Sequence, residues 1–130
     1  MKRDMDLVRA ILTEVERHPA GFFRREMKID GYTPDQIKYH VYIMDQAGLV
    51  EAANATHYQS TSPEAIVNNL TWEGHEFLDN AREPIRWEQA KALVAKAGGA
   101  SVQVLLKVLV NLKEAHCVVL PIVDTVSSSA

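Results

Sequence analysis

The chain has 130 residues, 47% of them hydrophobic and 24% charged, which predicts a globular domain and excludes a disordered or collagen-like chain. The 14 Lys and Arg residues stand against 17 Asp and Glu residues, and the single cysteine excludes an internal disulfide framework. The charged start and the polar residues within 102–123 argue against a secretory signal and a transmembrane helix, so we expect a cytoplasmic protein without a membrane partner.

The predicted elements begin with a helix and a strand. Apolar residues between Met5 and Val15 recur at the spacing of one helix face, and Pro19 and Gly21 are expected to end this helix. Across residues 22–29, apolar and charged residues alternate, which predicts a half-buried strand.

The second helix has a well-defined start and end. Thr33 is the expected N-cap, Pro34 suits the first helical position, and Gln36 completes a Thr-x-x-Gln capping box. Apolar residues then follow at helical spacing up to Gly48, where a left-handed C-terminal turn is expected.

A β-hairpin and a third helix come next. Leu49 opens a strand that runs toward Tyr58, residues 59–65 form a polar loop, and residues 66–70 form the return strand. Thr71 is the expected N-cap of the third helix. The residues expected on the buried side of that helix are Trp72, His75, Leu78 and Ala81.

The last third of the chain is predicted to be helical. A fourth helix covers roughly 85–97, and a fifth covers 102–112 after a hinge or cap at Gly98-Gly99. Polar residues form one narrow stripe on the fifth helix, which is typical of a helix buried on nearly all sides. This helix either covers the core of its own chain or pairs with a second copy to form a homodimer. Dimerisation is the preferred interpretation. The residues expected at the dimer interface are Val102, Leu105, Leu106, Leu109 and Leu112.

The order of these elements predicts an α+β fold, a winged helix-turn-helix-like domain with additional C-terminal helices. Residues 1–82 would form the winged-helix domain, residues 83–116 would pack on it or dimerise, and residues 117–130 would form a tail. The helix that starts after Thr33 takes the place of the recognition helix, and the hairpin is the wing. The segment 22–31 replaces the short helix that ordinarily precedes a recognition helix.

Four stretches of the sequence resemble a known family: MKRDMDLVR, GYTPDQIKYH, LTWEGHEFLD and GGAS. Over about residues 1–112, the chain resembles an uncharacterised bacterial and prophage family, domain of unknown function 2513, with winged-helix-like members. The passage from Ile37 to Val50 is also similar to the transition from recognition helix to strand in bacterial winged-helix regulators. The resemblance implies a winged-helix fold and a phage-related setting, without an established activity or established site residues.

Double-stranded DNA is the first partner that this fold suggests, in the role of a transcriptional regulator. Gln36 could read adenine, Lys38 could contact guanine or phosphate, and the side chains of Arg24 and Arg25 could hold the backbone. The residues expected to face DNA are Arg24, Arg25, Thr33, Gln36, Lys38, Tyr39 and Tyr42. The same pattern is also typical of the solvated side of an amphipathic helix.

The distribution of charge favours a second interpretation. Residues 31–81 contain one cation, Lys38, and seven acidic residues. Such a surface suits a basic protein partner better than it suits DNA phosphates. The alternative is therefore an acidic protein-interaction module, such as a phage factor that binds or inhibits a host protein complex. The residues expected to contact that partner are Asp35, Asp45, Glu51 and Glu64.

The sequence contains no recognisable catalytic or metal-binding motif. The five histidines are scattered without metal-ligand spacing, and the adjacency of His116 and Cys117 does not make a nucleophile–base pair. Trp72 and Trp87 are expected on the apolar sides of their helices, which favours core packing over base stacking. We therefore expect no enzymatic activity, no cofactor and no bound metal.

Overall fold

The computed structural model describes residues 1–18, 23, 26–96 and 102–122, with side chains in the last range from residue 103 to residue 113. These residues form a mixed α+β structure with five helices and one two-stranded antiparallel sheet. In chain order the elements are α1 (Met5–Glu16), α2 (Pro34–Gln46), β1 (Val50–Asn54), β2 (Ala65–Leu70), α3 (Trp72–Ala81), α4 (Pro84–Lys96) and α5 (Val102–Ile122).

The chain divides into two compact units between Leu78 and Asp79. The first unit contains α1, α2, the sheet and most of α3, and the second contains α4 and α5. None of the helices in the described ranges has both the length and the apolar character needed to cross a bilayer.

The start of α1 is held by the side chain of Asp4. Its Oδ1 accepts hydrogen bonds from the backbone N–H groups of Asp6 at 2.9 Å and Leu7 at 3.3 Å, which satisfies two donors that a helix leaves open. The side chains that α1 buries follow the predicted helical spacing: Leu7, Val8, Ile11, Leu12 and Val15.

The predicted capping box of α2 is confirmed. The Thr33 hydroxyl accepts from the Gln36 N–H at 3.2 Å, and Gln36 Oε1 accepts from the Thr33 N–H at 2.8 Å. At the other end, Gly48 has φ +79°, a left-handed conformation that L side chains rarely adopt. The apolar face of α2 packs against α1 and both strands.

The hairpin is shorter on its first side than the sequence predicts. β1 ends at Asn54 rather than near Tyr58, because the Thr56 side chain closes the loop. Its hydroxyl accepts from the Glu64 N–H at 2.9 Å, and Ala55 N–H donates to the Glu64 carbonyl at 2.9 Å. The register pairs Val50 with Leu70 and changes between Glu51 and Ala52.

The predicted strand at 22–29 is not a strand among the residues that the structure describes. The alternation itself is confirmed, since Phe23 and Met27 are buried whereas Glu26 and Lys28 are exposed. A strand also needs a series of backbone hydrogen bonds to a neighbouring strand. In this segment, the Phe23 N–H donates to the Asn68 carbonyl of β2 at 2.8 Å. The side-chain pattern is therefore that of a strand, while residues 26–29 are irregular.

The predicted buried side of α3 is partly wrong. Trp72 is 76% exposed and His75 is also exposed, whereas Leu78 and Ala81 are buried as expected. The buried positions follow the i, i+3, i+4, i+7 spacing from Gly74 through Phe77, not the spacing that starts at Trp72. The reason is that Gly74, not Trp72, lies against the backbone of Leu49.

In the second unit, α4 and α5 pack against each other. Glu83 caps α4, because its carboxylate accepts from the N–H groups of Ile85 at 3.2 Å and Arg86 at 2.8 Å. Within the single chain, α5 is buried on one side only: Leu105 is fully buried, whereas Val104 is 46% exposed.

The length of α5 differs from the predicted boundary of the C-terminal tail. The tail was expected to begin at residue 117, but the helix continues to Ile122. Four sequence features lie outside the described residues: the expected helix end at Pro19 and Gly21, the hinge at Gly98-Gly99, Arg24 and Arg25.

Candidate interaction surface

The polar side chains at the beginning of α2 form hydrogen bonds with the backbone of the helix start. Thr33 and Gln36 were both expected to face DNA, but their side chains form the capping box. Gln36 Oε1 would have to leave the Thr33 N–H before it could take part in a bidentate contact with adenine. Base reading by Gln36 would therefore cost α2 part of its cap.

The middle of α2 carries three further residues that were expected to face DNA. Lys38, Tyr39 and Tyr42 are half-buried rather than fully exposed. Tyr39 packs edge-on against His40, with ring centroids 5.8 Å apart.

Lys38 also borders an apolar groove between α2, β2 and the segment 23–27. The groove has a volume of about 530 Å³ and is lined mainly by apolar side chains such as Phe23, Met27 and Ile37. Lys38 is thus at the rim of a groove instead of on a fully solvated helix face.

Two of the four acidic residues predicted to contact a protein have internal partners. Asp45 Oδ1 accepts from the Ala52 N–H at 3.2 Å, next to the register change of the sheet. Glu51 Oε1 accepts from the Asn69 side-chain amide at 2.9 Å across the two strands. Asp35 is exposed in the first turn of α2, and Glu64 is half-exposed at the base of the hairpin loop.

His40 joins the two stretches MKRDMDLVR and GYTPDQIKYH inside the fold. Its Nε2 accepts from the Asp4 N–H at 2.9 Å, so its Nδ1 is assigned as the protonated nitrogen that donates to the Gln36 carbonyl at 2.8 Å. Tyr32 donates its hydroxyl to Asp4 Oδ2 at 3.1 Å. His40 is 1% exposed and both of its ring nitrogens have hydrogen-bond partners, so it has a structural role in joining α1 to α2.

The stretch LTWEGHEFLD is also built around a structural contact. The Thr71 hydroxyl accepts from the Gly74 N–H at 3.0 Å and donates to the Gly48 carbonyl, and the Thr71 N–H donates to the Leu49 carbonyl at 3.2 Å. Gly74 lets α3 approach this backbone, since a Cβ there would overlap the Leu49 carbonyl oxygen. Thr71 and Gly74 thus attach α3 to the end of α2 and to the sheet.

A recess with polar walls lies beside α3 in the first unit, and sequence reasoning missed it. Glu16 and His18 come from the end of α1, Glu51 and Asn69 from the sheet, and His75 from α3. Its volume is about 420 Å³, and its apolar lining comes from Val15 and Leu70. We call this feature the α1–α3 recess. No Lys or Arg is among its described lining residues.

Trp72 lies one helical turn before His75 on α3, and both side chains are exposed. Residues at i and i+3 are neighbours on a helix surface, so Trp72 lies near His75, which is one of the residues that line the recess. The sequence does contain a signal for this placement: the apolar residues at 74, 77, 78 and 81 already complete one helix face without Trp72. Within the described parts of the chain, no group of three His, Cys, Asp or Glu residues could hold a metal ion.

The residues predicted to form a dimer interface divide into two groups. Leu105 and Leu109 are fully buried within the chain itself, where α5 packs on α4. Leu106 and Leu112 are half-buried. The side chain of Val102 lies outside the described residues.

Comparison with known proteins places this scaffold in a family. The chain belongs to the family described as "Hypothetical protein (DUF2513)", whose model matches residues 2–101. It is also similar to an "Uncharacterized protein" of Haemophilus influenzae, with 34% identity over 97 residues that cover 72% of this chain and 79% of the relative. No solved structure matches the chain. The family match includes α1 to α4 and the complete sheet.

Proposed function

We propose that residues 1–78 form a winged-helix-like module that acts as a non-enzymatic protein-interaction module in the cytoplasm. A capped helix in the recognition position, followed by a two-stranded hairpin, supports the winged-helix assignment. The bond from Phe23 N–H to the Asn68 carbonyl supports it further, because it brings the segment before α2 to the outer edge of β2.

The exposure of Trp72 is the observation that carries the proposed function. Because the Trp72 side chain is 76% exposed, its burial contributes little to the free energy of folding. Tryptophan is enriched at protein interfaces. The surrounding sequence carries no Lys or Arg between Tyr39 and Ala81, so the partner surface is expected to be basic. In the phage-related setting that the sequence resemblance implies, this partner is a host protein complex.

DNA binding is the second candidate, and one observation favours it. Lys38, Tyr39 and Tyr42 remain partly accessible on α2, the helix that would enter the major groove. Lys28 is exposed on the preceding segment and could contact phosphate. The protein-interaction proposal stands first because the hairpin loop, 55–64, supplies no cation for the DNA backbone.

Affinity capture with the full-length chain from a host lysate tests the first proposal. We expect a stoichiometric partner that is retained by the wild type and lost with Trp72→Ala or Asp35→Lys. Glu88→Lys is the matched charge control, because Glu88 is exposed on α4 in the second unit. Equal capture by the wild type and Trp72→Ala would contradict the proposal.

Fluorescence anisotropy with mixed genomic DNA fragments at low salt tests the second candidate. A DNA-binding protein should show an affinity that falls steeply as salt is raised, and Lys38→Ala should weaken it. The absence of binding by the wild type at low salt would exclude this candidate.

We also propose homodimerisation through the second unit, with a smaller interface than the sequence suggests. Leu106, Leu112 and Val104 keep part of their apolar surface accessible, which supports this proposal. A monomeric mass in light scattering at the working concentration would contradict it.

A further inference from the structure

We infer that the apolar groove that Phe23 and Met27 form with α2 and β2 binds a small amphipathic carboxylate, an unbranched acyl chain whose charged end lies at Lys38. We call this feature the α2–β2 groove. It lies entirely in the first unit, and a small-molecule ligand goes beyond the proposed protein interaction and does not depend on it. The volume of about 530 Å³ is within the range of ligand-binding clefts, roughly 300–1,000 Å³. Such clefts combine mainly apolar walls with a few polar groups that orient the ligand.

The α2–β2 groove is narrow. The apolar side chains along its walls are only 3–8% exposed: Phe23, Met27, Ile37, Val41, Ala65 and Val67. Pro34 and Ile66 also line the groove and are exposed, so they mark its opening. Walls that expose so little surface offer almost no contact area to a docking helix about 10 Å across. An unbranched chain, in contrast, makes contacts along both walls of a narrow groove.

The space also extends along the start of α2. A second cavity of about 310 Å³ lies between the start of α2 and residues 26–32, and it shares Met27, Pro34 and Ile37 with the α2–β2 groove. Methionine is unbranched and flexible, so the Met27 side chain can adjust to an occupant. The shape therefore favours a long, thin ligand over a compact one.

Lys38 determines the charge of the ligand. Its side chain lines the α2–β2 groove, is half-buried and has no ion-pair partner among the residues that the structure describes. Glu26 lines the same groove but is exposed. Because solvent screens a half-buried charge less than an exposed one, a ligand carboxylate gains more beside Lys38 than a ligand cation gains beside Glu26. The carboxylate is therefore assigned to Lys38 and the acyl chain to the walls at Met27 and Ile37.

The test is an NMR titration of the full-length chain with sodium decanoate below its critical micelle concentration. We expect saturable changes at the methyl groups of Met27 and Ile37, while the buried Trp87 indole in the second unit serves as an internal reference. From hexanoate to decanoate, each added methylene should tighten binding by up to about fourfold, the factor for its complete burial. Decyltrimethylammonium, which has the same chain and a positive charge, should bind more weakly.

Two substitutions examine the α2–β2 groove without removing a core side chain. Lys38→Gln should weaken decanoate by about fivefold, the upper end of the range for an ion pair near the surface, and Lys38→Arg should restore most of the affinity. Ile66→Glu adds a negative charge at the opening and should also weaken decanoate, and Ile66 tolerates the change because it is 59% exposed. Lys107→Gln is the matched control, since Lys107 is exposed on α5 in the second unit.

Equal affinities for decanoate and decyltrimethylammonium, or for decanoate in the wild type and Lys38→Gln, would overturn the inference. Affinities that do not depend on chain length would also overturn it, because they would show that the acyl chain stays outside the groove. If decanoate causes no change while Ile66→Glu loses the captured host partner, the groove is a protein contact and the ligand assignment falls.

Discussion

Replacing Gly74 with alanine should loosen the attachment of α3 to the rest of the first unit. The new Cβ would overlap the Leu49 carbonyl oxygen and lie 3.1 Å from the Leu49 carbonyl carbon. Both atoms belong to the backbone, so no side-chain rotation can relieve the overlap. The start of α3 must therefore move away from Leu49.

The size of the effect follows from three contributions. Forcing extra volume into a packed contact costs about 1–3 kcal/mol of the free energy of unfolding. Moving α3 also weakens the bond from Thr71 N–H to the Leu49 carbonyl, 3.2 Å long, which contributes about 1 kcal/mol. Alanine offsets about 1 kcal/mol because it favours the helix more than glycine does. We expect a net destabilisation of about 1–3 kcal/mol.

Urea unfolding followed by circular dichroism measures this loss, and hydrogen exchange of the Thr71 amide reports it locally. Glu73→Ala is the control, since this exposed neighbour should change the free energy of unfolding by no more than about 0.5 kcal/mol. If Gly74→Ala unfolds at the wild-type urea concentration and its Thr71 amide exchanges at the wild-type rate, the close packing of α3 on Leu49 is refuted.

Four further predictions concern the contacts at the starts of α1 and α2 and the two tryptophans. Thr33→Ala should lower the free energy of unfolding by about 1 kcal/mol through loss of the capping box, and an unchanged urea midpoint would contradict this. Tyr32→Phe should cost about 0.5–1.5 kcal/mol by removing the hydroxyl that donates to Asp4, measured in the same titration. Trp72→Ala should change stability by no more than about 0.5 kcal/mol, whereas Trp87→Ala should cost about 3–5 kcal/mol. Iodide should quench the emission of Trp72 and leave that of Trp87 largely unaffected, and equal quenching would refute the difference in burial.

Local signals in the sequence were sufficient for much of the first unit. The capping box at Thr33, the stop at Gly48 and the N-cap at Thr71 are each determined by a few neighbouring residues, and all three are confirmed. The predicted strand at 22–29 depends instead on pairing with β2, which alternation does not specify. Alternating side chains show which residues face the core, but they contain no information about backbone partners.

The candidate site was harder to predict because it depends on contacts between distant residues. The side of α3 that faces inward is determined by the contact between Gly74 and the backbone of Leu49, 25 positions earlier in the numbering. A periodicity that starts at Trp72 fits the apolar residues at 78 and 81 as well, so the sequence pattern allowed a wrong choice. The α1–α3 recess likewise combines Glu16, Glu51 and His75 from three separate elements.

The stretches that connect the chain to its family contain residues with two different kinds of role. Asp4, Tyr32 and His40 hold α1 and α2 together, and Thr71 and Gly74 attach α3, so the fold itself requires these residues. Trp72 lies in the middle of the same stretch as Thr71 and Gly74, yet it faces solvent. Its large apolar surface is not needed for the core, and the proposed protein interaction rests on this exposure. Under the proposed function, Trp72 is therefore the first residue to test, before the outer face of α2.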